Sequence, residues 1–298
     1  MVKAVKKVPV KKEEIQSLEA LIKKADNDYH TKGKPKLSDK QYDALKDRLA
    51  VIDPTNPLLK KVGNAPTGRA KKVSLPFHMG SLDKLYIDKV EDIKKWLKGA
   101  TTFVVMDKLD GISAMSGFDV GKRFLYTRGN GSEGSDISHL ASHVRGIPSG
   151  SSVVRGELAI SKSAFKKFSK DFENSRNLVA GVSNRTKEIH SAAKVTDFVI
   201  HESLSPKAPL PRVAAQLEKQ GGKVVWFKVF RKVPTVTELA KLLKERLEKS
   251  PYEIDGLVID NLKGKRIAIK SVNETAIATV SHVTWQISRF GSLTQVVS

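Results

Sequence analysis

The stretch Phe103-Val-Val-Met-Asp-Lys-Leu-Asp-Gly-Ile-Ser113 decides how the rest of the chain is interpreted. Its apolar run predicts a buried strand that ends, turns at Gly111 and begins again. Lys108 stands at the break, and Asp110 follows two residues later. A lysine at the end of a buried strand is unfavourable for packing, but a partly desolvated amine can act as a nucleophile.

The chemistry of such a lysine depends on its surroundings. An amine attacks phosphorus only in its neutral form, which burial and neighbouring cations both favour. The pattern Lys108-Leu-Asp-Gly111 is short, however, so a surface lysine in a hairpin explains these residues equally well. The remaining sequence must therefore supply what a nucleophile needs.

The composition indicates a large anionic partner. The 298 residues carry a net charge of +21, which exceeds what solubility requires and favours nucleic acid over merely solvated lysine faces. The absence of cysteine excludes disulfides and thiolate zinc sites. No apolar run reaches membrane length, and the first residues lack the apolar core of a signal peptide. We expect a cytoplasmic protein without membrane contact.

The pattern along the chain predicts an α+β fold. Residues 1–14 are predicted to form a basic tail without a helix, and 15–56 a pair of helices, the second beginning with a capping box at Ser38 and Gln41. Residues 60–76 are typical of a linker. Further helices are expected at Val90–Leu97 and, behind Thr235 and Glu238, at 236–249. Short strands between glycine turns favour antiparallel sheets and are expected at 102–106, 112–118, 123–127, 152–160, 196–201 and 254–260.

Several other stretches place charged residues at the ends of these strands and turns. Each alone is explained as well by a hairpin loop, a solvated helix or a strand-end charge. Together they provide the lysines, arginines and carboxylates that nucleotidyl transfer requires. The stretches are Thr127–Gly134 with Arg128, Val154–Glu157, Ser175–Arg185 with Arg176, Tyr252–Ile259 with Asp255, and Arg266–Lys270.

In this order the stretches resemble the NAD-dependent DNA ligase family. The resemblance implies a small helical domain that binds nicotinamide mononucleotide (NMN), followed by a nucleotidyltransferase domain of the ATP-grasp-like ligase adenylation type with mainly antiparallel sheets. It also implies roles in DNA replication and repair. The corresponding divisions are a flexible tail at 1–14, the NMN-binding domain at 15–70, the adenylation domain at 71–275, and at 276–298 a linker with the first strand of a truncated oligonucleotide-binding domain.

The resemblance assigns roles to individual residues. Lys108 matches the lysine that becomes adenylated, and Asp110, Asp255 and Lys270 match further catalytic residues. Residues expected to bind the cofactor NAD in the adenylation domain are Ser81, Leu82, Arg128, Glu157, Arg176 and His201. Arg185 is expected to contact DNA, and Asp110 and Glu157 to hold Mg²⁺. The NMN half of NAD is expected to bind Tyr29, His30, Asp39, Tyr42 and Asp43.

Five positions depart from the family pattern. Met106 stands where a glutamate is usual, Asn130 where an aspartate is expected, and Ser135 where a glutamate is expected. His201 replaces an aromatic residue expected to stack on adenine, and Asp260 reverses the charge of a lysine. Two alternatives stay open. Met106, Asn130 and Asp260 favour a non-catalytic nucleic-acid-binding module with a decayed nucleotide site, and the second alternative is an ATP-dependent polynucleotide ligase or capping-type transferase.

The resemblance also predicts partners. We expect nicked double-stranded DNA as the substrate of the later steps and a monomeric protein. Ile287–Val296 resembles the first strand of the family's oligonucleotide-binding domain, after which the given sequence ends. A second chain carrying that domain and other DNA-binding domains is therefore a further expected partner, and poor nick sealing is expected without it.

Overall fold

The computed structural model describes residues 10–31, 39–60, 70–185, 189–271, 283–287 and 293–297. Short 3-10 turns lie at Ser138–Leu140 and Ser191–Val195. The α-helices are α1 (Val10–Thr31), α2 (Asp39–Ile52), α3 (Pro57–Lys60), α4 (Val90–Leu97), α5 (Lys162–Phe165), α6 (Ser175–Ser183), α7 (Leu210–Lys219) and α8 (Val236–Lys249).

The strands follow in chain order. They are β1 (Lys72–Ser74), β2 (Asp83–Tyr86), β3 (Phe103–Leu109), β4 (Ile112–Asp119), β5 (Lys122–Thr127), β6 (Glu133–Ser135), β7 (Val153–Ile160), β8 (Thr196–Ser205), β9 (Lys207–Ala208), β10 (Lys223–Val224), β11 (Phe227–Phe230), β12 (Ile254–Asp260), β13 (Arg266–Lys270), β14 (Val283–Ile287) and β15 (Leu293–Val297).

Helices α1 and α2 pack against each other around a small apolar core. Leu18 and Ile22 from α1 meet Leu49 from α2 and Leu58 from α3. The predicted helical pair is therefore confirmed, although Ser38, the expected capping residue, lies outside the described residues. A core of this size gives little stability by itself.

The predicted tail is too long at its C-terminal end. Helix α1 begins at Val10, five residues before the predicted start at Ile15, so the expectation of a non-helical segment over 1–14 is wrong for residues 10–14. Pro9 directly precedes the first helical residue, a place where a missing N–H group costs no helical hydrogen bond. The lysines and glutamates that follow are good helix formers even without apolar periodicity.

Two sheets form the larger part of the protein. One has the strand order β11-β3-β12-β13-β2, and the other has the order β10-β8-β7-β4-β5 with β9 beside β8. Most pairs are antiparallel, and the parallel pairs are β13 with β2 and β10 with β8. The predicted α+β class with mainly antiparallel sheets is confirmed. Strand β3 belongs to the first sheet and β4 to the second, so Asp110 and Gly111 connect the two sheets.

The first four residues of β3, Phe103 to Met106, are all apolar because both faces of the strand are covered there. Val104 and Met106 point into the main core between the sheets. Phe103 and Val105 point into a second core beneath α4 and α8. A strand buried on both faces has a continuous apolar run rather than an alternating one. The strand predicted at 102–106 therefore exists, and it continues to Leu109, which carries Lys108 within it.

The helices that cover the second core match the sequence prediction. Helix α8 spans 236–249 as predicted, and its first turn has the predicted capping box, in which Thr235 and Glu238 each bind the other's backbone N–H. In α4, Ile93 and Leu97 are buried. Within the described residues, none of the helices combines the length and the apolarity needed to cross a bilayer.

Two predicted irregular segments contain strands. The expected linker at 60–76 includes β1, which pairs with β6 at Val73 and Gly134. The C-terminal region forms two paired strands, β14 and β15, rather than one strand over Ile287–Val296. The second difference has a local cause, because Val283, Trp285 and Ile287 alternate with polar residues as a strand requires.

Candidate active site

A cavity of about 360 Å³ lies between the two sheets. Strands β2, β3, β12 and β13 line it from one sheet, β4, β5, β7 and β8 line it from the other, and α6 closes one side. Its lining is strongly cationic, which suits a ligand with several phosphate oxygens. The lining cations are Lys84, Lys108, Arg128, Arg155, Arg176, Arg266 and Lys270.

Lys108 points into this cavity and forms an ion pair with Asp255. Its Nζ atom donates to Oδ1 at 2.8 Å and to Oδ2 at 2.9 Å. The Nζ atom of Lys270 lies 3.2 Å from Oδ2 of the same carboxylate. An ion pair requires the ammonium form of Lys108, so a proton must leave before the amine can attack an electrophile.

A local irregularity in β12 accompanies this arrangement. The pairing of β12 with β3 shifts its register between Ile254 and Gly256, and Asp255 lies at that shift. Gly256 is required beside it, because a Cβ atom there would lie 2.3 Å from the backbone oxygen of Ile269. The Asp-Gly pair therefore combines a carboxylate at the cavity with a close approach of two strands.

The charge of Asp255 follows from its neighbours. Burial raises the pKa of this carboxyl, but the charges and hydrogen bonds of Lys108 and Lys270 together outweigh burial and hold the pKa below its ordinary value. Asp255 therefore remains ionised at neutral pH and orients both lysines.

Glu157 is a carboxylate that lines the cavity. It lies on β7, opposite Ser113 of β4. Burial raises the pKa of Glu157 to about 7, although Arg176, Lys108, Arg128 and Arg155 all favour its charged form. The side chain is therefore balanced between neutral and ionised forms near physiological pH.

Asp110 acts on the cavity through an arginine. Its Oδ1 atom accepts a hydrogen bond of 2.7 Å from Nη1 of Arg176, which lines the cavity from the first turn of α6. The helix is capped at that end by Asn174, whose side chain accepts from the N–H group of Asn177. Gly111 follows Asp110 because a Cβ atom there would lie 2.2 Å from the Leu158 oxygen.

Four more of the residues expected to bind NAD also meet at the cavity. Ser81, Leu82 and Arg128 line it, and Arg128 Nη1 lies 3.5 Å from the Ser81 hydroxyl. His201 lines the cavity from β8. Burial and then the charges of Arg155 and Arg266 hold the pKa of His201 well below its ordinary value. Its ring is thus neutral at physiological pH and offers an aromatic face for stacking on a base.

Comparison with known proteins identifies this arrangement. The family described as NAD-dependent DNA ligase adenylation domain matches residues 69–267, which include every cavity-lining residue except Ala268 and Lys270. The family described as DNA ligase-like, N-terminal NAD+-binding domain matches residues 9–70. The chain belongs to the NAD-dependent DNA ligase family. The predicted resemblance is therefore confirmed, and both matches favour NAD over ATP as the nucleotide donor.

Individual ligases show the extent of the likeness. The chain is 36% identical to a DNA ligase of Acanthamoeba polyphaga mimivirus, over 89% of this chain and 44% of that protein. It is 31% identical to a DNA ligase of Shewanella baltica, over 97% of this chain and 46% of that protein. The chain thus spans less than half the length of these relatives.

The NMN-binding residues expected in a NAD-dependent ligase lie mostly outside the described part. This holds for the side chains of Tyr29, His30, Asp39 and Asp43. Tyr42 is described, and its ring packs against the core of the helical pair with Lys46 Nζ 5.2 Å from its centroid. Core packing is therefore part of the role of Tyr42.

Arg185 does not line the cavity. It follows α6 and is exposed, and its backbone oxygen contacts His139 Nε2 at 3.0 Å. The cavity lining from this segment instead includes Ser183 and Asn184. An exposed arginine beside the cavity is compatible with the predicted contact to DNA, which stays a prediction.

The departures from the ligase pattern have local structural roles. Met106 is buried and lines the cavity, and Ser135 lines it as well. Asn130 stabilises a turn, because its Oδ1 atom accepts from the N–H groups of Ser132 and Glu133. Asp260 accepts from Arg266 Nε at 2.7 Å across the β12–β13 pair. The carboxylate that replaces the expected lysine at position 260 thus binds Arg266.

Sequence reasoning missed two cavity arginines. Arg155 Nη2 donates to the Gly80 oxygen at 3.0 Å, and Arg266 Nη1 lies 3.0 Å from Glu202. Strand alternation could have identified both, because Arg155 shares a strand face with Glu157, and Arg266 shares one with Lys270.

Proposed function

We propose that this chain transfers AMP from NAD to Lys108 and then to the 5′-phosphate at a nick in double-stranded DNA. The observation that carries the proposal is the ion pair of Lys108 with Asp255 at the floor of a cationic cavity, in a family whose two matched domains bind NAD and undergo adenylation. The first step produces a lysine–AMP phosphoramidate and releases NMN.

The residues around Lys108 have distinct tasks in this step. Asp255 directs the amine toward the α-phosphate, and the N–P bond forms as the P–O bond to NMN breaks. The lysine proton passes to solvent, because the low pKa of Asp255 makes it a poor final acceptor. Lys270, held by the same carboxylate, stabilises the negative charge on the phosphate oxygens.

The remaining cavity residues orient the nucleoside. Glu157 in its ionised form accepts hydrogen bonds from ribose hydroxyls, and the neutral ring of His201 stacks on adenine. Arg176, fixed by Asp110, faces the nucleotide from the side of α6.

The donor set fits a Mg²⁺ ion that binds together with the nucleotide. Among the described residues, no group of three or more histidines or carboxylates forms a complete metal site. Mg²⁺ commonly keeps several waters and uses one or two carboxylates with substrate phosphates. Glu157 faces the cavity and would hold the hydrated ion. Asp110 already accepts a hydrogen bond from Arg176. The ion would neutralise phosphate charge.

Labelling tests the first step. Protein incubated with NAD labelled in its adenylate should acquire label, whereas Lys108→Ala should acquire none, and labelled ATP should not replace NAD. Absence of label on the unaltered chain, or undiminished label on Lys108→Ala, contradicts the proposed chemistry. Labelling by ATP alone would favour the alternative of an ATP-dependent ligase.

DNA binding is a separate test of the later steps. With a net charge of +21, the chain should bind nicked duplex through phosphate contacts, and the affinity should fall linearly with salt concentration on a double-logarithmic plot. Transfer of AMP from labelled protein to a 5′-phosphate nick measures the second step directly. An affinity independent of salt would exclude phosphate contacts as its source.

A further inference from the structure

Lys84 lies on β2, an edge strand of the first sheet. Strand β2 runs parallel to β13, with Lys84 beside Ala268 and Tyr86 beside Lys270. Ala268 and Lys270 line the cavity, so the side chains of Lys84 and Tyr86 lie on the same face of the sheet. Lys84 itself lines the cavity, and its side chain is 26% exposed.

The same two residues contact the helical pair. Asp47 of α2 has one carboxylate oxygen 3.0 Å from Lys84 Nζ. Its other oxygen accepts a hydrogen bond of 2.8 Å from the Tyr86 hydroxyl. Lys84 therefore links the cavity that contains Lys108 to the domain whose family binds NAD. Its ammonium group therefore lies where the cavity borders the helical pair.

We propose that Lys84 binds the phosphate of the NMN half of NAD and stabilises it as the leaving group. This inference rests on the proposed function. When Lys108 forms its N–P bond, the electron pair of the broken P–O bond passes to the NMN phosphate, which leaves as a phosphate monoester. A cation positioned where that charge develops lowers the barrier to transfer.

Asp47 is a positioning residue in this arrangement. A lysine ammonium has three donors, so Lys84 can keep its contact with Asp47 while another donor binds a phosphate oxygen. Two different lysines then bind the two phosphates of NAD. Lys270 stabilises the α-phosphate that stays on Lys108, and Lys84 stabilises the phosphate that leaves.

Substitutions at Lys84 separate this role from adenylate binding. We expect Lys84→Met to slow lysine–AMP formation from NAD about 10–100-fold and to weaken NMN binding by a similar factor. AMP affinity should stay within about twofold, because AMP lacks the leaving phosphate. Lys84→Arg should recover most of the loss. Lys89→Met removes an equal charge from an exposed site just after β2 and should change none of these quantities.

Three outcomes overturn the inference. The first is a normal adenylation rate and a normal NMN affinity in Lys84→Met. The second is an equal loss of AMP and NMN affinity, which would place Lys84 in the adenylate subsite. The third combines two results: Asp47→Asn loses as much adenylation rate as Lys84→Met, and Lys84→Met binds NMN with unchanged affinity. The lost contact between Lys84 and Asp47 would then explain the slower adenylation.

Failure of the proposed function is distinguishable from failure of this inference. If the unaltered chain acquires no label from NAD, the adenylation chemistry is wrong. Equilibrium titrations with NMN and with AMP still test Lys84 in that case, because both report binding without any chemical step.

Discussion

Lys108 and Asp255 face each other from the paired strands β3 and β12, with the lysine Nζ atom 2.8 and 2.9 Å from the two carboxylate oxygens. Lys270 contacts the same carboxylate from β13. One carboxylate thus fixes both the candidate nucleophile and the candidate α-phosphate ligand. The side chains of Lys108 and Asp255 are 27% and 29% exposed, so water reaches the pair.

Asp255→Asn should impair adenylation more than nucleotide binding. The amide cannot hold two ammonium groups in place, and the amine loses its alignment with phosphorus. We expect the rate of lysine–AMP formation from NAD to fall about 10–1,000-fold, as it does when one electrostatic group of an active site is removed. Single-turnover labelling measures the rate, and titration measures AMP affinity.

Asp83→Asn provides the matched control for that substitution. Asp83 is an exposed carboxylate on β2, two strands away from Asp255 in the same sheet. Its substitution should leave the labelling rate unchanged. If Asp255→Asn retained the full rate while Asp83→Asn lost it, the assignment of Asp255 as the orienting group would be wrong.

Glu157 should make the stability of the fold depend on pH. Its pKa rises from an ordinary value of 4.5 to about 7 in the folded protein, so folding is disfavoured as pH rises through this interval. Glu157 does not destabilise the fold below about pH 4.5, where it is protonated in both the folded and the unfolded state. By pH 7.5 it lowers the unfolding free energy by roughly 1–3 kcal/mol. Glu157→Gln cannot ionise and should escape this loss.

Denaturant unfolding at pH 5 and pH 8 measures the effect of Glu157. The unfolding free energy of Glu157→Gln should exceed that of the unaltered chain by more at pH 8 than at pH 5. Glu133→Gln, an exposed glutamate on β6, serves as the control and should show no such trend. A constant difference across pH would mean that Glu157 ionises normally.

Much of this fold was predictable because its signals are local. The continuous apolar run of β3 predicts a strand covered on both faces, and Thr235 with Glu238 predicts the start of α8. The start of α1 was missed because the four residues after Val10 carry charge rather than apolar periodicity. Strand β1 was missed because its three residues pair only with distant β6.

The site was predictable as a set of residues but not as a geometry. The order of the motifs indicated Lys108, Asp255 and Lys270, whereas their shared ion pair depends on a register shift in β12 that no local pattern specifies. The contact between Asp47 and Lys84 joins two separate parts of the chain and has no sequence signal. Long-range register and domain contacts must therefore come from the structure.

Val120 should be a site where a substitution stabilises the protein. It lies at the tip of the β4–β5 hairpin with φ of 45° and is 94% exposed, and Gly121 follows with φ of 73°. Two successive positive φ values define a turn that favours Asn-Gly, and a β-branched residue is strained there. Val120→Asn should raise the unfolding free energy by about 0.5–1 kcal/mol without changing the labelling rate.

Val120→Ala is the informative comparison at the hairpin tip. Alanine removes the branched side chain but does not favour positive φ. Val120→Ala should therefore raise the unfolding free energy by less than Val120→Asn. Thermal and denaturant unfolding of the two variants decide the matter. Equal stabilities for all three proteins would show that the backbone of Val120 carries no strain.

Arg246 and Asp107 form a buried ion pair directly beneath the candidate nucleophile. The guanidinium of Arg246 donates to both oxygens of Asp107 at 2.8 Å and lies 4.2 Å from the centroid of Trp226. The side chains are only 9% and 2% exposed. Breaking such a pair leaves an uncompensated charge, so Arg246→Met should lower the unfolding free energy by about 3–5 kcal/mol. Denaturant unfolding measures the loss.

The double substitution Asp107→Leu with Arg246→Met separates charge burial from packing. It removes both charges, so most of the loss in the single variant should be recovered, to within about 1 kcal/mol of the unaltered chain. Lys249→Met, at an exposed position in the last turn of α8, should change stability by less than about 0.5 kcal/mol. If the double variant is no more stable than Arg246→Met, stacking on Trp226 rather than the charge of Asp107 accounts for the loss. Because Asp107 precedes Lys108 in β3, the same comparison of labelling rates tests whether this ion pair also holds the nucleophile in position.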